Sequence, residues 1–219
     1  FYHDAAAALI QDGNLVAATD EERLSRKKHD QGFPKHAAHW CLKKAGITIH
    51  DVDYVVFYEK PFTKFERIIK TNLASYPRTA RLFGRSMATW LGEKLWMEAI
   101  IREQLNYDRE ILYVEHHVSH AASAYFCSPF NESAILSVDG VGEWTTTTIG
   151  TARGTDIRLD EELRFPHSIG LLYSTFTAFL GFEVNEGEYK VMGMAPYGTP
   201  KYVDKIHKMV KISDDGSFW

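Results

Sequence analysis

Apolar positions come in short runs broken by turn residues, a pattern of alternating strands and helices rather than one long period. Ala5 to Ile10 and Leu15 to Thr19 flank Gln11-Asp12-Gly13-Asn14. Asp-Gly supplies the positive-φ positions of a tight turn, so this stretch predicts a β-hairpin. From Lys35 to Ala45, residues Ala37, Ala38, Cys41, Leu42 and Ala45 fall at helical spacing, with Gly46 as the stop. Tyr54 to Tyr58 reads as a short buried strand and Ile111 to Val114 as a further strand. Between them, Phe83, Met87, Leu91, Leu95 and Ile101 predict a helix over Thr79 to Leu105, weakened by Gly84 and Gly92. A helix over His117 to Phe126, strands over Ser133 to Val138 and Thr145 to Gly150, and a helix over Ile169 to Leu180 follow. With no fixed repeat and no low-complexity linker, the expected class is α/β: a mixed β-sheet with flanking helices.

The 219 residues, 45% of them hydrophobic, suffice for one large domain or two small ones. Lys plus Arg number 25 against 29 for Asp plus Glu, a net charge of −4, so no electrostatic footprint for nucleic acid is expected. Cys41 and Cys127 form no CxxC pair, which points to a reducing, cytoplasmic setting. No apolar run nears the ~20 residues of a membrane span, and no secretory signal opens the chain. The chain begins at Phe1 and ends just after the turn-rich Ser213 to Ser217, so it reads as the front part of something longer. Trp90 to Met97, aromatic and methionine-rich, reads as core or as the face of a homodimer.

The densest chemistry lies in Glu115-His116-His117-Val118-Ser119-His120. On a helix, His116 and His120 sit one above the other and can share an ion, while His117 is rotated about 100° away. Asp139 ends the apolar strand Ala134 to Val138, where open α/β sheets bind ligands. Two imidazoles and a carboxylate suit Fe(II), Zn(II) or Mn(II), and the bland alternative is a set of capping or core histidines. Gly140 and Gly142, beside Glu143, expose amides that could cradle a phosphate, although such a segment is also an ordinary hairpin turn. Asn185 to Gly198, with Glu186, Glu188 and Lys190, suits contact with a phosphate or ribose, or is a loop of turn residues. His3 and Asp4 could form an acid/base pair. The run of Arg23, Arg26, Lys27, Lys28 and His29 after Asp20-Glu21-Glu22 reads as a solvated face.

Taken in order, five segments resemble the amino-terminal part of the ATP-dependent O-carbamoyltransferase family, which includes nodulation-factor and antibiotic carbamoyltransferases. They are Tyr2-His3-Asp4-Ala5-Ala6-Ala7, Glu21 to His29, His116-His117-Val118-Ser119-His120 to Ala124, Val138-Asp139-Gly140, and Asn185 to Gly198. The resemblance implies an actin/sugar-kinase-like (ribonuclease H-like) lobe, truncated. Residues 1–219 would be the first lobe and the start of the second, without the carboxyl-terminal adenylate-forming domain. It implies that carbamoyl phosphate and ATP give carbamoyl-adenylate, whose carbamoyl group passes to a hydroxyl of a small-molecule acceptor. It assigns His116, His120 and Asp139 as ligands of Fe(II) or another divalent metal, with a further aspartate beyond residue 219. His3 and Lys28 match positions near the carbamoyl-adenylate and acceptor, and Asn185 to Lys190 match a segment lining the nucleotide cleft. Such a fragment is expected to be inactive alone.

Two other functions fit the same residues. A metal hydrolase would use His116, His120 and Asp139 to activate water without ATP. A non-catalytic lobe would bind nucleotide or a partner protein without turnover. A sugar-kinase-like phosphotransferase is a poorer fit, since its chemistry needs no two-histidine metal site.

Overall fold

A computed structural model describes residues 4–218. In chain order the elements begin with β1 (Ala6–Gln11), β2 (Asn14–Asp20), α1 (Glu21–Ser25), α2 (Lys35–Ala45) and β3 (Val55–Phe57). There follow α3 (Pro61–Ala74), α4 (Ala80–Gly92), α5 (Met97–Leu105), β4 (Ile111–Tyr113) and α6 (His116–Tyr125). The chain continues through β5 (Glu132–Val138), β6 (Thr145–Arg153), β7 (Asp156–Arg164), α7 (Ile169–Phe179), α8 (Glu188–Met194) and α9 (Val203–His207). The α/β class holds, but the strands are spread over three small sheets rather than one: β1-β2, β3-β4 and β5-β6-β7. No described helix is long and apolar enough to cross a membrane. The chain divides into two compact units, one joining residues through Phe57 to Arg85–Leu112, the other joining Tyr58–Gly84 to the stretch from Tyr113 onward.

In the first unit, β1 and β2 form the expected hairpin, paired antiparallel from Ala6↔Asp20 to Gln11↔Asn14 with an irregularity at Leu9/Ile10. Asp12 and Gly13 both take positive φ, as a tight hairpin turn requires. α2 buries Ala37, Cys41 and Leu42 against this hairpin, the Cys41 thiol reaching the Ala7 carbonyl. The basic run that follows is the expected solvated face at Arg23, Arg26, Lys27 and Lys28, whereas the acidic residue before it, Glu21, is only 3% exposed. Its carboxylate accepts the backbone N–H groups of His36 and Ala37, satisfying donors that Pro34 cannot cap at the start of α2.

The long helix expected over Thr79 to Leu105 is broken. α4 ends at Gly92, a short 3-10 turn spans Lys94–Trp96, and α5 starts at Met97. Trp90 and Met97 are buried while Leu91 and Trp96 are exposed, so the stretch between them is part core and part surface.

In the second unit, β5, β6 and β7 form an antiparallel sheet, with Glu132↔Arg153 and Arg153↔Asp156 at one end. Ala121 and Tyr125 of α6 pack on Ile135 and Ala152, with Ile157 and Leu159 at the margin. This packing fixes α6 beside β5, which is what positions the site. Four elements here, α3, β7, α8 and α9, escaped the sequence reading. β7 alternates Ile157, Leu159 and Leu163 with charged residues, a period of two that was present in the sequence. α3 starts with Pro61 at its first turn, a position proline favours.

Candidate metal centre

α6 begins at His116, directly after the β4–Glu115 connection, and presents His116 and His120 one turn apart. Their rings meet edge to face, centroids 4.6 Å apart, with the two Nε2 atoms 3.0 Å apart. Asp139 follows β5. Its Oδ2 lies 2.9 Å from His116 Nε2 and 3.9 Å from His120 Nε2. Three donor atoms thus converge within 4.8 Å of one another. His117 is turned away as expected: it is buried, its Nδ1 3.1 Å from Thr148 Oγ1.

Asp139 is held at several points. Its N–H donates to the Thr146 carbonyl, and its Oδ1 accepts the Gly140 N–H at 2.7 Å, which leaves Oδ2 for the histidines. Ser168, the N-cap of α7, donates from Oγ to the Gly140 carbonyl at 2.6 Å and accepts from Leu171 N–H. Gly170 permits this docking, because a Cβ there would stand 2.5 Å from the Asp139 carbonyl oxygen. Burial would raise the Asp139 pKa, but hydrogen bonds from His116 and Gly140, with the nearby histidine charges, bring it down to about 2. The His120 pKa is lowered, mainly by burial and then by His116, against an opposing pull from Asp139. An anionic carboxylate beside a neutral imidazole is the protonation pattern a cation site needs.

The donor chemistry fits a borderline divalent ion, with two nitrogens, one oxygen and an accessible His120. A groove of about 520 Å³ lined by His120, Ser123, Ser133 and Val138, among others, runs along α6 and β5.

Behind His116 stands a wall of buried charge. Glu143, 7% exposed, accepts the N–H groups of Lys60 at 2.8 Å and His116 at 3.1 Å. Glu59, equally buried, pairs with Lys64 at 2.6 Å and lies 3.9 Å from His116 Nδ1. Arg67 is buried over the Phe165 ring; burial lowers its pKa, while Glu59 and Glu143 support the charge. Glu59 and Arg67 escaped the sequence reading because they lie on α3 and just before it, far along the chain from the histidines.

Other expected residues are placed as follows. The Gly140 and Gly142 amides are both engaged within the turn, the latter with the Thr145 carbonyl. Gly142 instead gives room: a Cβ there would stand 2.9 Å from the His116 ring. Glu188 at the start of α8 accepts from Asn185 N–H and Ser174 Oγ, while Glu186 is half-buried and Lys190 exposed. His3 lies outside the described residues. Asp4 pairs with His29 Nδ1 at 2.9 Å, and Glu22 accepts the His29 N–H, gathering three further groups in the first unit. Lys28 is exposed on the turn preceding His29.

The family model for the carbamoyltransferase N-terminus matches residues 1–218. The chain belongs to this family. An uncharacterised protein of Synechocystis sp. is 50% identical over the whole chain, which covers 37% of that protein. The nodulation protein NolNO of Sinorhizobium fredii is 32% identical, again over the whole chain and 31% of the relative. The nodulation protein NolO of Bradyrhizobium diazoefficiens is 34% identical over 48% of the chain and 19% of its own length. The chain therefore spans about a third of the first two of these curated relatives.

Proposed function

We propose that this chain is the amino-terminal, carbamoyl-transferring domain of a longer ATP-dependent O-carbamoyltransferase, with an actin-like fold in the whole protein. Carbamoyl phosphate, ATP and water give carbamoyl-adenylate, phosphate and pyrophosphate. The acceptor hydroxyl oxygen then bonds to the carbamoyl carbon, the bond to the adenylate oxygen breaks, AMP leaves, and the hydroxyl proton passes to a base. The observation that carries this reading is the convergence of His116, His120 and Asp139 in a chain matched almost end to end by the carbamoyltransferase family.

His116, His120 and Asp139 would hold Fe(II) or another divalent ion, which when bound supplies Lewis acidity and a template for substrate oxygens. Asp139 contributes the anion and the two imidazoles the neutral donors. The buried charges behind His116 and the α7 N-cap behind Asp139 hold them in place. Asn185 to Lys190 would line the nucleotide cleft, with Glu188 fixing the loop through Asn185 and Ser174. Lys28 would neutralise adenylate charge, and His3, with Asp4, would receive the acceptor proton.

The test is pyrophosphate release from ATP by the full-length protein, with and without carbamoyl phosphate. Release that requires carbamoyl phosphate supports the adenylate. No release from active, metal-loaded protein sinks it.

A further inference from the structure

A histidine that binds a metal through Nε2 carries its proton on Nδ1, and that N–H ordinarily faces a carboxylate or carbonyl which fixes the ring and strengthens the ligand. His116 directs Nε2 towards Asp139 and His120, whereas its Nδ1 is buried and makes no hydrogen bond. Glu143 serves the backbone instead: its oxygens receive the N–H groups of Lys60 and His116. The acceptor facing Nδ1 is Glu59 Oε2, 3.9 Å away, buried to the same degree and anchored by Lys64. On the opposite side, the absent Cβ of Gly142 lets the ring lie close to the turn. The ring is thus confined between Gly142 and the carboxylate wall, with one polar atom unspent.

We propose that Glu59 is the positioning residue of His116: its carboxylate takes the Nδ1–H and so holds the Nε2 lone pair in the donor triangle. Lys64 anchors Glu59, and Glu143 sets the backbone at the start of α6. This rests on the reading of the triad as a divalent-metal site, and the experiment separates the two.

The probe is Zn(II) alone, added to the full-length protein and to its variants in competition with a chromophoric chelator. Nitrogen-resolved NMR of the Zn(II)-loaded protein then follows the His116 Nδ1–H. The wild-type protein is expected to bind Zn(II) and to show a slowly exchanging, downfield Nδ1–H. Glu59→Gln should weaken Zn(II) by about 10- to 100-fold and move or broaden that resonance. Lys64→Gln breaks the ion pair but keeps the carboxylate, so it should weaken Zn(II) much less. Unchanged affinity and resonance in a folded Glu59→Gln overturns the role of Glu59 and leaves the metal site standing, provided His116→Ala still loses Zn(II). Equal losses in Glu59→Gln and Lys64→Gln also overturn it, since the ion pair would then be the whole effect. Should Glu59→Gln not fold, a wild-type Nδ1–H that exchanges rapidly with water overturns the proposal without any variant. Failure of the full-length wild-type protein to bind Zn(II) removes the metal site, and the positioning role with it.

Discussion

A methyl group at Gly142 would stand 2.9 Å from both Cβ and Cδ2 of His116, on a ring whose other side is closed by buried charge. Gly142→Ala should therefore displace that ring or the turn, costing about 1–3 kcal/mol in urea unfolding and weakening divalent-metal binding in parallel. Gly193→Ala, where a Cβ meets nothing within 4 Å on α8, should be neutral or slightly stabilising. Loss of stability without loss of metal binding would separate the turn from the site. His117 gives a second residue-level expectation. Burial lowers its pKa, so the folded chain resists taking a proton that the unfolded chain accepts below about 6.5. Its contribution is present above that pH and is lost as pH falls through its folded value. His120 has the same sign, and each group adds a slope of at most ~1.4 kcal/mol per pH unit. Asp139 acts lower, its contribution fading from about 4 towards its folded value of about 2. Urea unfolding of the metal-free chain should lose stability from pH 7 to pH 5, and His117→Gln should flatten that loss. An unchanged slope in the variant would remove His117 from the account. At this scale the sequence marked His116, His120 and Asp139 correctly as neighbours, because helical spacing and a strand end are local facts. Glu59, Arg67 and Gly170 were illegible, because their roles depend on which distant segment each one faces.

Among the elements, the hairpin and α6 were legible because turn chemistry and periodicity agreed with their surroundings. The break between α4 and α5 was signalled only by Gly92, and apolar spacing across it concealed the 3-10 turn. β7 was missed although Ile157, Leu159 and Leu163 alternate, because charged neighbours lowered its hydropathy without changing its period. The start of α2 shows what a local pattern cannot report. Pro34 offers no side-chain cap, and the donors of His36 and Ala37 go instead to Glu21, fifteen and sixteen residues earlier. Glu21→Ala should strand those donors, the buried N–H of Ala37 above all, and cost about 1–3 kcal/mol by urea unfolding. Glu98→Ala, which removes an exposed pair with Arg102, should stay within ~0.5 kcal/mol. Comparable losses in the two variants would mean that the buried carboxylate is not capping α2.

For the molecule as a whole, the family became legible through the order of five motifs along the chain, an order that survives without any knowledge of their geometry. Fold class followed from alternating elements, whereas the division into three sheets and two units depends on long-range pairing that no local window contains. The chain covers about a third of its relatives, and the proposed reaction has two halves. If adenylate formation belongs to a carboxyl-terminal domain and transfer to this one, a single change at the metal centre must separate them. His120 is suited to this test because it is half-exposed at the groove, so its removal should leave the fold intact. In the full-length protein, His120→Ala should preserve pyrophosphate release driven by carbamoyl phosphate and abolish carbamoylation of the acceptor hydroxyl. If both halves survive, the centre is structural. If both are lost while circular dichroism and unfolding are unchanged, His116, His120 and Asp139 serve adenylate formation as well, and the proposed division between the domains is wrong.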